Sequence, residues 1–462
     1  MTALSYDDGS DRIPGDIARP VEQVVVVGAG IAGLAAANAL AHAGVPAVVL
    51  EARDRIGGRL HTADIGGSPI DLGGSWIHSP IRNPLSAWAE QLGVERRPAD
   101  IRAGMVGVDP ASGRLPAEVF ERLMKLAFDG FDAVVGSMVA SLGQSASMGA
   151  AVDRFVAEQL GLGLGPSDAT RLRTIILDLV ESDASGAADE VAVDGYPANG
   201  LFYEGSDLGD FPLGGYRRLV EPLARGLDVR TGTVVTAVAV LPDGVSVTTA
   251  DGATHRGSHV LVTVPLGVLK AAAIRFDPPL PAARLAAIAR LGFGCFEKLA
   301  VVFEDEPWAR AALPNILPLR ADGQPEITVI TNLDPIVGEP AALAFAYGSR
   351  AGVLSDVRED AAVDRLLGLL RAVADGPVPE PVAVGRSCWA ADPFSRGAYT
   401  FLRVGSTPDD LELLGLPVGG RLLFAGEATG HARVSFADGA FTTGIREAKR
   451  LLGQPRVMLG LR

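Results

Sequence analysis

Cysteine is nearly absent from this chain: Cys295 and Cys388 are the only two, far apart in sequence. Their scarcity excludes a disulfide framework and any cysteine-based metal site, and both are expected to be small core side chains. No stretch has the unbroken apolar length of a membrane span. The first twenty residues, MTALSYDDGSDRIPGDIARP, lack the basic start and apolar core of a secretory signal. They are polar, contain Pro and Gly and show no apolar periodicity, so a mobile leader over 1–20 is expected. A soluble cytoplasmic protein without a membrane partner follows as an expectation. Basic residues number 41 against 55 acidic ones, and the net charge of −14 disfavours nucleic acid while being compatible with attracting cationic small molecules. The chain contains neither an internal repeat nor a low-complexity tract.

What it does have is length and apolar content. A chain of 462 residues exceeds what one hydrophobic core organises, so two domains are expected. With 56 Gly, 31 Pro and 48% hydrophobic residues it reads as an Ala- and Val-rich α/β protein.

Near the N-terminus VVVV (24–27) leads into GAGIAGLAAANALAHAG and then AVVLEARDR: strand, glycine turn, helix, strand, with Glu51 closing the second strand. Gly28 allows the tight turn, Gly30 lets backbone approach a pyrophosphate, and Gly33 lets helix and strand pack closely. The helix N-terminus then points at the phosphates, and Glu51 is placed to accept hydrogen bonds from a ribose. Directly afterwards RIGGRLHT (55–62) sets Gly57 and Gly58 between two arginines, so that Arg59 reaches towards phosphate and the chain passes close to the cofactor. A nicotinamide enzyme does not need this second clamp.

Beyond DLGGSWIHSP (71–80) the sequence turns helical and less regular to about 211, including the run AEVFERLMKLAFDGFDAVVGSMVASL. From about 229 a β-meander with Asp-Gly turn signals returns to a buried strand, VLVTV. A mixed region follows from about 276 to 394; near the end RLLFAGEATG reads as strand and turn, and DGAFTTGIREAKRLLG as a helix. The expected fold is α/β and discontinuous in sequence. A Rossmann-like domain, a parallel sheet with a β-meander, takes 21–100, 212–275 and 395–455, and a mixed α+β substrate domain takes 101–211 and 276–394.

One lysine is oddly placed. In GFGCFEKLAVVFEDEPW (292–308), strand alternation puts Lys298 on the face of Phe296, Ala300 and Val302. Either it snorkels at a strand edge and pairs with Glu297, Glu304 or Asp305, or it belongs to a site.

These motifs resemble, in order and spacing, the flavin-containing amine oxidases, the group holding monoamine oxidases, polyamine oxidases and lysine-specific histone demethylases. The resemblance runs from about 22 to 452 and rests on VVVVGAGIAGLAAANAL, LEARDRIGGRLHT, DLGGSWIHS, HVLVTVPLGVLK, the Lys298 strand, WAADPFSRGAYTF and LLFAGEATGHARVSFADGAFTTGIREA. It implies FAD held by Glu51 and Arg53 at the adenosine end, by Gly58 and Arg59 in the second flavin motif, and by Gly74, Ser75 and Trp76 beside the isoalloxazine. Val235 matches a backbone contact to adenine and Trp389 packing behind the flavin. Gly426 and Glu427 match the pair beside the ribityl and pyrophosphate, with a helix-capping carboxylate as the bland alternative for Glu427. Ala437 lies in the helix start near the flavin pyrimidine.

Lys298 falls where the family has a lysine hydrogen-bonded to a water beside flavin N5 and implicated in the reaction with oxygen. Where the monoamine oxidases attach FAD through cysteine this chain has Ala398, which implies noncovalent FAD. Tyr399 and Phe436 match the aromatic pair that flanks the amine. His78, in WIHS, matches a residue shared by spermine and acetylpolyamine oxidases, which implies a substrate contact with a purely structural histidine as the alternative, and Glu204, Asp207 or Asp210 could hold a distal ammonium, with a solvated loop as the alternative. The implied reaction is hydride transfer from the amine α-carbon to flavin N5, giving an imine and then an aldehyde, with O2 reduced to H2O2; a polyamine or related amine is the expected substrate. The rival expectations are a desaturase, a porphyrinogen-type or an L-amino-acid oxidase, and a flavin-binding interaction protein without turnover; no inserted helical tower or basic binding arm is seen.

Overall fold

The computed structural model describes residues 4–6 and 17–460, apart from 100, 101, 103, 196–208, 305–312, 325, 375 and 431. Its organising element is the strand Val24–Val27, apolar at every position because both of its faces are buried. Val24 and Val26 face a helical layer, and Val25 and Val27 face a second sheet. The strand sits at the centre of a wholly parallel sheet in the order Asp228–Arg230, Ala47–Leu50, Val24–Val27, His259–Val262, Leu422–Phe424. Connections diverge to either side of Val24–Val27, and there a doubly wound sheet opens a crevice at its carboxyl ends. The antiparallel meander Val235–Leu241, Gly244–Thr249, Thr254–Gly257 covers one face, joined by Arg275–Asp277 running parallel to its first strand. This is the α/β architecture, with its meander, that the sequence predicts.

On the other face the helices Ile31–His42 and Ala437–Leu452 lie side by side. Two glycines bring backbones into contact there. A Cβ at Gly33 would stand 2.1 Å from the Gly28 carbonyl oxygen, and one at Gly444 would stand 2.1 Å from that of Ala32. Helix-to-turn and helix-to-helix contact therefore both need a missing side chain, and the two helix starts converge on the crevice.

The second sheet has seven strands in the order Ala383–Arg386, Phe296–Val302, Ala341–Tyr347, Val329–Asn332, Ile316–Pro318, Val106–Asp109, Gly113–Arg114. All of its pairs are antiparallel except Ile316–Pro318 with Val106–Asp109. Ala300 and Val302 face the helices Ala117–Leu142, Met148–Gly161 and Pro166–Ala184, whereas Leu299 and Val301 face Glu359–Arg371. The strand carrying Lys298 is thus interior, flanked on both edges.

Three expectations are corrected. Within the leader, Leu4–Tyr6 pairs antiparallel with Val457–Leu459, and Ala18 donates to the Gly420 carbonyl at 2.8 Å. Cys388 is exposed in the irregular chain after Ala383–Arg386, and Cys295 is only half-buried, so neither is a core residue. Leu280, Ala287, Ile288 and Leu291 pack into the core beside the parallel sheet, although the sequence groups them with 276–394. Among the described residues no helix is long and apolar enough to cross a membrane.

The Gly444 contact generates a test. Gly444→Ala is expected to lower stability by about 1–3 kcal/mol through overpacking and to reduce the flavin retained on purification. Urea denaturation and flavin absorbance check this; wild-type values for both would show that the two helices do not need their close contact.

Candidate active site

Two adjoining cavities of ≈ 320 and ≈ 240 Å³ open at the carboxyl ends of the parallel sheet and beneath the seven-stranded sheet. The larger is lined by Gly28, Gly30, Glu51, Arg53, Gly58, Val235, Gly426 and Glu427, and the smaller by Ser75, Trp76, His78, Lys298 and Trp389. Arg59, Gly74, Ala398, Tyr399, Phe436 and Ala437 line both. The structure thus gathers the described residues singled out from sequence, except Gly33, whose place is beneath the turn, and Asp210.

The larger cavity has the features of a dinucleotide cradle. A Cβ at Gly30 would meet nothing within 4 Å, so the turn faces open space. Both convergent helices start without a side-chain cap, at Gly30 and Phe436, leaving first-turn N–H groups for an anion. Buried Glu51 accepts from the backbone N–H groups of Ala29 (2.8 Å) and Arg53 (2.9 Å), which fixes its carboxylate at the end of its strand. Arg53 is held by Asp392, its Nε and Nη2 donating to Oδ2 at 3.1 and 2.7 Å. The second glycine motif is stitched onto the first: Gly57 N–H donates to the Ala29 carbonyl at 2.8 Å, and Gly58, at φ +60°, lies against Gly30.

Arg59 donates to the Ala398 carbonyl (2.6 Å) and to Glu427 (2.9 Å), and Glu427 accepts from Thr400 N–H (3.2 Å) and Oγ1 (3.1 Å). Among the described residues its partners are therefore Arg59 and Thr400 rather than helix N–H groups, so the capping alternative falls. These residues fit FAD: open glycine turns, two uncapped helix starts and a fixed carboxylate suit a dinucleotide. The neighbouring cavity adds a buried indole N–H, Trp76 Nε1, that meets no acceptor among the described residues.

Lys298 is 4% exposed and does not snorkel. Its Nζ donates to the carbonyl oxygens of Asp71 (3.1 Å) and Gly73 (2.5 Å) and to Ser75 Oγ (2.6 Å), and lies 5.5 Å from the ring centres of both Trp76 and Phe345. Glu297 points to the other side of the strand, where it accepts from Ser387 Oγ (2.5 Å) and Ala390 N–H (3.0 Å). Burial pushes the Lys298 amine below its usual value, opposed in part by the Asp71 carboxylate; burial raises Asp71 in turn, against the hydrogen bond from Thr62. Lys298 is thereby poised to change charge near neutral pH.

Aromatic rings complete the smaller cavity. His78 stacks on Trp76 at 6.1 Å and meets Phe436 edge-on at 5.1 Å, and Tyr399 donates its hydroxyl to the Ser182 carbonyl at 2.5 Å. Trp389 Nε1 donates to the Leu72 carbonyl at 3.0 Å. Glu204 and Asp207 lie outside the described residues. Asp210 is bound by Arg96 at 2.5 Å, away from the lining. The carboxylates that do line the cavity, Asp178 and Asp183, come from the last turns of the helix Pro166–Ala184, in a region whose sequence carries no recognisable motif. Asp178 accepts from Tyr347 Oη at 2.6 Å, and Arg102 lines the cavity as well. Asp71 and Thr62, which buttress the lysine loop, were also missed, although Asp71 opens the DLGGS motif.

A family model described as flavin containing amine oxidoreductase matches residues 31–452. The chain is 32% identical over 453 residues to a rice (Oryza sativa subsp. japonica) protein named lysine-specific histone demethylase 1 homolog 2, covering 94% of this chain but 57% of that one. It therefore spans little more than half of that relative. It is also 32% identical over 447 residues to polyamine oxidase 4 of the same organism, covering 93% and 89%. Among solved structures, a wild-type putrescine oxidase bound to putrescine superposes with a TM-score of 0.72 at 22% identity, over 94% of this chain and all of that one; at that identity the likeness is one of fold.

The Arg59–Glu427–Thr400 cluster ties both cavities together. Glu427→Ala leaves Arg59 and Thr400 short of an acceptor and is expected to cost about 1–3 kcal/mol, with flavin lost on gel filtration. Unchanged flavin content and denaturation midpoint would show that the cluster holds nothing in place.

Proposed function

We propose, from the premise that the chain belongs to the flavin-containing amine oxidoreductase family, that it oxidises a small amine carrying a second positive charge. Membership brings FAD as the cofactor and an amine as the substrate class. The observation that carries the reading is a buried lysine amine set into an aromatic cavity that shares its wall with a dinucleotide cradle. FAD, held by Glu51, Arg53 and the two glycine turns, would supply the two-electron acceptor for oxidation of the amine C–N bond to an imine, which hydrolyses to an aldehyde and a smaller amine or ammonia, with O2 as the final acceptor reduced to H2O2.

The chain's own residues supply position and field. Tyr399, Phe436 and His78 present flat faces that orient the amine, and their apolar surroundings favour its neutral, reactive form. The start of the helix Ala437–Leu452 lies beside the shared wall, where its dipole stabilises negative charge on a reduced ring. Lys298 adds a cation in a site of low dielectric, where charge on reduced oxygen develops. Ala398 carries no nucleophile, so the cofactor is held by contacts alone.

The distal wall supports a diamine or polyamine. Asp178 and Asp183 lie in the last turns of a helix, where a carboxyl-end dipole adds to their charge; Asp178 is shared with Arg350 at 3.5 Å, and Arg102 also lines this wall. Polyamine oxidase 4 is a relative in keeping with this. A second reading, oxidation of a methylated lysine side chain, is favoured by the relatives named histone demethylases.

Peroxide release from a panel of spermine, spermidine, putrescine, aromatic monoamines, L-amino acids and a dimethyl-lysine peptide tests the substrate class. Turnover of the di- and polyamines is expected, with Asp183→Asn raising KM for putrescine roughly tenfold more than for a monoamine; turnover of the peptide alone would transfer the assignment to the second reading. Lys298→Met is expected to slow reoxidation of the dithionite-reduced flavin by about a hundredfold, and a wild-type rate would remove the lysine from the oxygen reaction.

A further inference from the structure

The three partners of Lys298 Nζ are chemically unequal. The carbonyl oxygens of Asp71 and Gly73 only accept, whereas the Ser75 hydroxyl both accepts and donates. Ser75 is 1% exposed, and its hydroxyl also lies 3.4 Å from each of the same two carbonyl oxygens. A protonated lysine has three N–H groups for three acceptors, and the serine proton then goes to one of the carbonyls. A neutral lysine has two N–H groups, which satisfy the two carbonyls, and a lone pair that needs a donor. Rotation of one hydroxyl supplies it.

We propose that Ser75 is a positioning residue for Lys298, a reversible partner that holds Nζ in one place whether the amine is charged or neutral. This rests on the reading that Lys298 serves the oxygen reaction. The idea accounts for a hydroxyl turned towards the lysine at a position that the family resemblance places only beside the isoalloxazine. It also explains how a lysine can release its proton without leaving a buried polar atom unmatched. The other titratable or charged groups around the amine cannot take this part. The carboxylate of Asp71 is engaged with Thr62 Oγ1 (2.5 Å) and Tyr216 N–H (3.1 and 3.3 Å), and Arg217 beyond it is bound to Asp64 at 2.9 Å. Glu297 lies across the strand, Arg59 is held by Glu427, and His78 stacks on the Trp76 ring. From the neighbouring strand the residue opposite is Phe345, which has no polar group.

The chain contains four lysines, Lys125, Lys270, Lys298 and Lys449, so the holoprotein labelled with carbon-13 at lysine Cε gives a spectrum in which loss of one signal in Lys298→Met assigns the resonance. In Ser75→Ala the ammonium loses a charge-assisted acceptor and the amine loses only a neutral donor, so the titration midpoint of that resonance is expected to fall by roughly one pH unit. The pH profile for reoxidation of dithionite-reduced flavin shifts with it, and Ser75→Thr restores both. An unmoved midpoint in a Ser75→Ala protein that keeps its FAD and melting temperature overturns the proposal. If the midpoint moves but Lys298→Met reoxidises at the wild-type rate, the role of the lysine fails and the assignment of Ser75 to the reaction fails with it. If Lys298→Met is slow and only the Ser75→Ala midpoint stays put, the lysine keeps its role and Ser75 loses its own.

Discussion

The hydrogen bonds that hold a buried lysine amine against the loop 71–75 join parts of the molecule that are otherwise far apart in sequence. Lys298 comes from the interior of the seven-stranded sheet, and its acceptors come from the chain that follows the second glycine motif. The loop is pinned from behind as well: a Cβ at Gly73 would stand 1.9 Å from the Arg59 carbonyl oxygen, and Gly74 N–H donates to that oxygen at 3.1 Å. Arg59 in turn reaches Glu427 at the end of the parallel sheet. One chain of contacts thus fixes where a flavin ring and an amine can meet. An uncompensated charge at this depth would be costly, and the ring of acceptors is what makes a lysine tolerable there.

The rest of the architecture serves that junction. The parallel sheet and its two uncapped helix starts define an anion-binding end, while the helix Pro166–Ala184 brings two carboxylates to the opposite end of the aromatic cavity. On the proposed function, phosphates and amine are drawn to opposite ends of the adjoining cavities by opposite helix termini. Between them the walls are largely apolar and aromatic, and Lys298 and the Arg59–Glu427 pair carry charge there.

Legibility in the sequence followed the range of the interactions. The glycine turn, Glu51, the meander and the helix 437–452 were readable because each is specified by local spacing: turn residues, β-branched runs, or a helix closed by Gly453 in the left-handed region. Lys298 was conspicuous because a charge sat within a strand pattern, yet its acceptors were not, since backbone carbonyls leave no trace in composition. Asp178 and Asp183 escaped notice for a related reason. They lie on an ordinary amphipathic helix, and only the fold turns that surface into a cavity wall. Asp210 looked equally suitable and is instead bound by Arg96, a pairing across 114 positions that no local pattern encodes. The leader misled because a three-residue strand is too short to show periodicity.

The central claim is that an amine in the aromatic cavity passes two electrons to a flavin at the wall shared with the dinucleotide cradle. Its most direct measurement is the flavin absorbance of the holoprotein after anaerobic mixing with putrescine or spermidine. The account predicts bleaching in a single turnover and recovery of the yellow form on admission of air. Flavin that stays oxidised with every amine, while dithionite still reduces it, would contradict the account.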